Sequence, residues 1–288
     1  MLKGLKFCLL AILVIIIIIF FVVRSAFITN PVDSLLNRIL NKQKPDAPLV
    51  LKEEKTLRII EGWRNGDIAS LLVKNNLATV EEFEAAQKEI DQSKYAFLAD
   101  KPKSTDLEGF LYPDTYRVFA SSTAPEIITK MLDNFDEKLT PQMRADIKAQ
   151  GKTINEIITM ASIIEKEAPI SYATSNNTDA KIISGIFWNR IAAGQPLQSC
   201  ATLAYVLGVN KAQYSEADTQ INSPYNTYQH RGLPPGPIAN PGILAIEAAI
   251  YPTPSNYNYF LTPSGSSTIV YAVTYQEHLN NKNKYLGK

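Results

Sequence analysis

The chain has 288 residues, 45% hydrophobic and 20% charged, with 29 Lys+Arg against 28 Asp+Glu. That length allows one large domain or two modest ones, and the apolar content excludes wholesale disorder. The near-neutral balance excludes an extended basic nucleic-acid surface, and two cysteines with two histidines leave too few ligands for a His/Cys zinc site.

Phe7 to Val23 reads FCLLAILVIIIIIFFVV, 17 residues without a charge. A bilayer core takes about 20 apolar residues, with about 17 as the lower bound. The run exceeds the roughly 7–15 residues of a signal-peptide core, and no clean A-x-A site follows. We therefore expect an uncleaved, single-pass membrane helix. Lys3 and Lys6 precede it and Arg24 follows it, so the positive-inside bias puts the N-terminus in the cytoplasm and the rest in the periplasm or outside the cell. Residues 1–24 contain no acid, which leaves the outer part slightly acidic. Cys8 within the span cannot reach Cys200, so no internal disulfide is expected outside. Cys200 reads as a small packing residue or as a reactive thiol.

Residues 25–54 are rich in Pro, Asn and Lys and read as a tether with one short helix at Val32–Leu40. Thr56–Ile60 alternates as a strand, and Glu61-Gly62 follows as a turn. A helical pattern starts at Asn65, and Thr79-Val80-Glu81-Glu82 opens a second helix with a capping box. Further helices are expected at Pro125–Leu139, Pro141–Ala149, from Thr153, at about Ala180–Ala193 and at Ile243–Ile250. Glu108–Tyr116 and Tyr225–Gly242 read as irregular stretches, and Tyr257–Tyr275 as a hairpin around Pro263-Ser264-Gly265-Ser266. The class is α+β.

The helix from Thr153 carries the most informative side chain. Thr153 and Glu156 form a capping box, and Pro169 ends the helix near Ala168. At about 100° per residue, Ile154, Ile157, Ile158, Ala161 and Ile164 share one stripe, and Glu165 falls in its middle. Burial and the negative end of the helix dipole both favour the protonated carboxyl, which is what a general acid needs. A structural carboxylate paired with Arg190 or Lys166, or simply exposed at the helix end, satisfies the same pattern. Periodicity leaves both readings standing.

Nucleophile-elbow and phosphate-loop motifs are absent, and neither His230 nor His278 has a motif partner. Two aromatic stretches point to a ligand instead. Phe110, Tyr112 and Tyr116 accompany Glu108 and Asp114, while Tyr225, Asn226, Thr227, Tyr228 and His230 precede a Gly232-Leu233-Pro234-Pro235-Gly236-Pro237 run. Flat rings beside amides and carboxylates suit a sugar, although either stretch alone reads as ordinary packing.

These residues carry a family resemblance. Leu107 to Tyr116 (LEGFLYPDTY), Met160 to Glu167 (MASIIEKE), Asn189-Arg190, Leu197-Gln198, Tyr225 to Tyr228, and Gly232 to Gly236 continuing to Pro241-Gly242 occur in order over 106–288. The set resembles the YceG-like endolytic murein transglycosylases. The resemblance implies four parts: a cytoplasmic tip and anchor (1–24), a tether (25–54), a partial LysM-like βαα unit (55–105) and a mixed α+β catalytic domain (106–288). It implies a lyase that cuts the MurNAc-β-1,4-GlcNAc bond of nascent peptidoglycan strands, leaves 1,6-anhydroMurNAc ends and so ends strand elongation.

Glu165 matches the family's catalytic glutamate, acting without metal or cofactor. Glu108, Tyr112, Asp114, Asn189, Gln198, Tyr225, Asn226, Thr227 and Tyr228 match positions expected to hold substrate. Partners implied are glycan strands, the membrane and neighbouring peptidoglycan synthases. Where many members carry Asp after Leu-Gln-x, this chain has Cys200. That change and the reduced LysM-like part motivate an alternative, a non-catalytic glycan-binding scaffold of the cell-wall machinery. A hydrolase using Asp114 as base is a third reading.

Overall fold

The computed structural model describes residues 12–24, 36, 53–211, 213–263 and 268–287. The chain divides into two compact units, Met1–Leu51 and Lys52–Lys288. In the first, helix α1 covers 12–24 with its side chains exposed. No helix of the described residues is long and apolar enough to cross a membrane. The expected start of the apolar run at 7–11 and, apart from Leu36, the expected helix at 32–40 lie outside those residues.

The second unit begins with β1 (Glu54–Arg58), which pairs antiparallel with β2 (Thr115–Phe119), Leu57 opposite Tyr116. The ladder ends earlier than the expected Thr56–Ile60 strand because the chain turns at Glu61-Gly62, where Gly62 adopts φ +78. Side chains seldom tolerate that left-handed conformation. Strand β2 was not expected: its TYRVF alternation buries Tyr116 and Val118, but it abuts the aromatic stretch read as irregular.

Between the two strands lie α2 (Asn65–Lys74) and α3 (Val80–Glu89), the latter opened by the Thr79/Glu82 capping box. After β2 come α4 (Ala124–Lys138) and α5 (Pro141–Ala149), each with a proline in its first turn. Proline's missing N–H costs nothing there, because those donors have no helical partner. Helix α6 (Ile154–Glu167) starts on the Thr153/Glu156 capping box. Then follow α7 (Thr178–Ala192), α8 (Cys200–Leu207), α9 (Glu216–Thr219) and α10 (Ile243–Ile250). A hairpin of β3 (Tyr259–Leu261) and β4 (Val270–Ala272) precedes α11 (Tyr275–Leu286). The expected hairpin is present, although residues 264–267 of its turn lie outside the described residues.

Helix α6 is the centre of the unit, packed against α7, α8 and α10. Every residue from Ile157 to Ile164 is buried, so the expected stripe is replaced by burial around the whole helix. Of the polar members, Ser162 is accommodated locally: its Oγ donates to the Thr159 carbonyl and accepts from the Ile238 amide. Small residues Ala245, Ala248 and Ala249 are fully buried on α10, which lets two helices approach closely. One apolar core runs from Leu57, Ile68, Leu72 and Phe83 through Phe135 and Ile158 to Ile246. The 55–105 segment thus buries its apolar faces in the same core as the remainder.

Candidate active site

Helix α6 ends at Glu167, with the Ala168 amide still bonded to the Ile164 carbonyl. Glu165 therefore sits in the last turn, where the chain leaves the core. Its Oε2 accepts two hydrogen bonds, from the Tyr172 hydroxyl at 2.5 Å and from the Gly242 amide at 3.0 Å. Gly242 is the N-cap of α10, so the carboxyl lies at the positive end of that helix. Its Oε1 has no hydrogen-bond partner among the described residues. One oxygen is anchored and the other is left available.

Burial holds the Glu165 carboxyl above the ordinary carboxylate range. The bonds from Tyr172 and Gly242 oppose that rise, the charge of Glu61 adds to it, and Lys166 opposes it. The ion-pair alternatives are not realised. Lys166 donates to the Gly62 carbonyl at 3.2 Å, and Arg190 donates to the Leu197 and Asn258 carbonyls at 2.6 and 2.8 Å.

Two glycines shape this corner. A Cβ at Gly62 would meet the Glu165 Cγ at 3.3 Å. A Cβ at Gly242 would collide with the Tyr172 hydroxyl and would lie 2.6 Å from the Glu61 Cγ. Tyr172 and Glu61 thus converge on the bare face of Gly242. Tyr112 closes the group. Its buried hydroxyl interacts with the Ile243 backbone and feels the charges of Asp114, Glu61 and Glu247, while burial is the main cause of its raised pKa.

The remaining candidates fall into three places. Glu108 is interior: its oxygens take the Asn65 amide at 3.1 and 3.2 Å and the Asn240 Nδ2 at 3.1 Å. Burial raises its pKa to about 8. Asn226 and Thr227 are also interior. Asn226 ties the Thr219 and Ile221 carbonyls, and Thr227 Oγ1 takes the Ser199 amide and meets the Thr202 hydroxyl. These three hold loops in place.

Gln198 and Tyr228 gather around the end of α6. Glu167 accepts from Ser199 Oγ at 2.5 Å and the Ala201 amide at 3.1 Å, so it caps α8. Next to that cap, the exposed Gln198 takes a left-handed φ of +53 and its amide bonds the Thr227 carbonyl. Such strain in a non-glycine residue is concentrated at functional sites. Cys200 Sγ lies 3.2 Å from the Tyr228 hydroxyl, and burial raises the thiol's pKa.

Asp114, Asn189 and Tyr225 make no hydrogen bond to Glu165, Tyr172 or Gly242 among the described residues. Asp114 is exposed and accepts from Asn134, and exposed Asn189 donates to the Ser255 carbonyl. Tyr225 packs on Tyr205 with ring centroids 4.9 Å apart. Among the described residues, no group of three His, Cys, Asp or Glu could hold a metal ion.

Glu61, Tyr172 and Gly242 were not singled out as site residues. Glu61-Gly62 was legible only as a turn and Pro241-Gly242 only as the tail of a loop. Tyr172 lies in the unpatterned SYATSNN segment after Pro169. An acidic residue in a tight turn leaving a strand is the one signal that could have marked Glu61.

Comparison with known proteins adds three findings. The model of the YceG-like family matches residues 30–284. Two curated proteins named endolytic murein transglycosylase align with this chain. That of Streptococcus pneumoniae serotype 2 is 37% identical over 180 residues, 61% of this chain and 31% of the relative. That of Bacillus subtilis is 36% identical over 181 residues, 63% of this chain and 48% of the relative. The matched part is therefore less than half of either relative's length. The crystal structure of a yceG-like protein from Listeria monocytogenes superposes with a TM-score of 0.68 at 33% identity, covering 78% of this chain and 74% of that one.

Proposed function

We propose, from the premise that the chain belongs to the YceG-like family, that it is an endolytic peptidoglycan lytic transglycosylase with Glu165 as its single general acid and base. The observation that carries this reading is the one-sided anchoring of Glu165. Oε2 is fixed by Tyr172 and Gly242, Oε1 has no partner among the described residues, and burial favours the protonated form. The aligned relatives named endolytic murein transglycosylase supply the substrate class.

In this mechanism Glu165 gives its proton to the glycosidic oxygen as the bond from muramyl C1 breaks. The N-acetylglucosamine 4-hydroxyl leaves. Positive charge develops on the muramyl ring, and the Glu165 carboxylate then accepts the proton of the C6 hydroxyl as that oxygen bonds C1. The anhydro ring closes, no water is consumed, and Glu165 is protonated again. Two-carboxylate hydrolysis needs a second group to activate water or attack the sugar; here the sugar's own hydroxyl takes that place. The bonds that hold Oε2 keep the carboxyl oriented through both transfers.

Tyr112 would line the sugar site beside Glu165, with Gln198 and Tyr228 extending it along the end of α6. We place Glu108, Asn226 and Thr227 one layer behind as supports, and Asp114, Asn189 and Tyr225 at the margins. The apolar N-terminal segment would anchor the enzyme in the cell membrane, catalytic part outside, near the synthases that extrude nascent strands.

The test is product analysis. Full-length protein in detergent is incubated with purified peptidoglycan, and the fragments are weighed by mass spectrometry. Muropeptides one water lighter than hydrolytic products are expected, and ordinary reducing ends overturn the reading. E165Q should lower the rate by about 10²–10⁴-fold, the range for removing a general acid–base group, with unchanged thermal unfolding. Strand binding without cleavage, indifferent to E165Q, would select the scaffold instead.

A further inference from the structure

Glu61 has no structural task among the described residues. It is half-buried in the turn between β1 and α2, yet its side chain makes no hydrogen bond or ion pair among the described residues. Buried or partly buried carboxylates are ordinarily paired or hydrogen-bonded, because losing water without compensation is costly. The chain nevertheless fixes this carboxylate in place. The Gly62 amide donates to the Asn240 carbonyl at 2.8 Å, and the Asn240 amide donates to the Trp63 carbonyl at 2.8 Å. Asn240 is itself fully buried, with its side-chain oxygen taking the Gly109 and Leu111 amides at 2.9 and 3.0 Å. Its Nδ2 donates to the Trp63 carbonyl and to Glu108. A rigid backbone clasp therefore brings the Glu61 Cγ to the bare face of Gly242, beside the Tyr172 hydroxyl that holds Glu165, with a carboxyl group that has no partner among the described residues.

We propose that Glu61 is a positioning residue of the site: the turn after β1 holds its carboxyl group against Gly242 and Tyr172, beside the Glu165 carboxyl that donates to the glycosidic oxygen. Two neighbouring carboxylates resist ionising together, so one keeps its proton to higher pH. The charges around Glu165 come from several elements. Glu61 lies in the turn after β1, Lys166 is on α6 and Tyr172 follows it. Tyr112 faces Tyr172, Glu247 of α10 faces Tyr112, and Glu167 is engaged with Ser199 and Ala201. Of these acids, Glu61 is the one that acts on Glu165 directly. The 55–105 segment thereby contributes a charge to the chemistry as well as a brace. This inference rests on Glu165 being the general acid.

The experiment is the pH profile of kcat/KM for the full chain in detergent, on purified peptidoglycan, for wild type, E61Q and E61D. A general acid must be protonated in the free enzyme, so activity falls as pH rises through its pKa. Without the charge of Glu61 that fall should begin at lower pH: E61Q approaches wild-type activity on the acid side and loses ground steadily on the alkaline side. E61D, which keeps the charge, should restore most of the wild-type profile. A uniform loss at every pH, or an unmoved alkaline limb, overturns the proposal. Reducing-end products from wild type that vanish in E61Q would also overturn it, making Glu61 a hydrolytic group. If wild type yields no anhydro ends at all, it is the lytic reading that fails, so the two failures are distinguishable.

Discussion

The Tyr172 hydroxyl donates to Glu165 Oε2 at 2.5 Å across the bend that follows α6. The bond stabilises the charged carboxylate, so it acts against burial and against Glu61 on the same group. Y172F should therefore do two things. Losing a bond to a charged group, worth about 1.5–3 kcal/mol, should cut kcat/KM by about one to two orders of magnitude. The remaining activity should persist to higher pH than in wild type, because Glu165 then holds its proton longer. An alkaline limb that moves to lower pH, as expected for E61Q, would contradict this assignment.

Gly242 has an ordinary extended backbone, φ −83 and ψ 173, so alanine there is not excluded by conformation. It is excluded by space. Its Cβ would collide with the Tyr172 hydroxyl and press on the Glu61 Cγ. G242A should lower stability by about 1–3 kcal/mol, the usual cost of overpacking, and should remove most activity by displacing Tyr172. Thermal unfolding and turnover measured on one preparation check both parts. A fully active G242A would mean that Tyr172 and Glu61 have room to move aside freely.

How much of this was readable beforehand follows the range of the interactions. The start of α6 was legible because Thr153 and Glu156 signal within one turn, and its end because Pro169 cannot continue a helix. Strand β2 was not, since its partner β1 lies more than fifty residues away in sequence. Helix α11 has no counterpart among the expected elements, although Thr274 and Glu277 form a capping box of the same type. Glu165 could be singled out from periodicity, but the group that surrounds it joins Tyr172, just past the bend, to three distant segments carrying Glu61, Tyr112 and Gly242. No local pattern encodes that meeting. Glu108 shows the converse: its motif neighbours suggested a ligand contact, whereas the fold spends it on the first amide of α2.

That placement has a consequence for stability. Burial raises the Glu108 pKa from 4.5 to about 8, so the folded state holds a proton that the unfolded state has released. Stability is then fully present below the unfolded value and is lost as pH climbs from about 4.5 towards 8. E108Q has nothing to ionise and keeps an oxygen for the Asn65 amide. Its melting temperature should change less between pH 5 and 8 than that of wild type, with the gap closing on the acid side. A pH dependence identical to wild type would show that other groups govern unfolding in this range.

Cys200 opens α8 and meets the Tyr228 hydroxyl at 3.2 Å. Cys200 is exposed as a residue, yet loss of water around its sulfur pushes the thiol's pKa up, and the thiolate is the reactive form. The position that would favour an anion, the first amides of α8, is already served by Glu167. Nucleophilic catalysis by Cys200 is therefore not expected. C200A should retain activity within about threefold, well under the 1.4 kcal/mol that a factor of ten represents, while E165Q is nearly inactive. Parallel assays of anhydro-end formation by the two variants decide this. A loss in C200A comparable to that in E165Q would move the chemistry to the sulfur and away from the carboxyl.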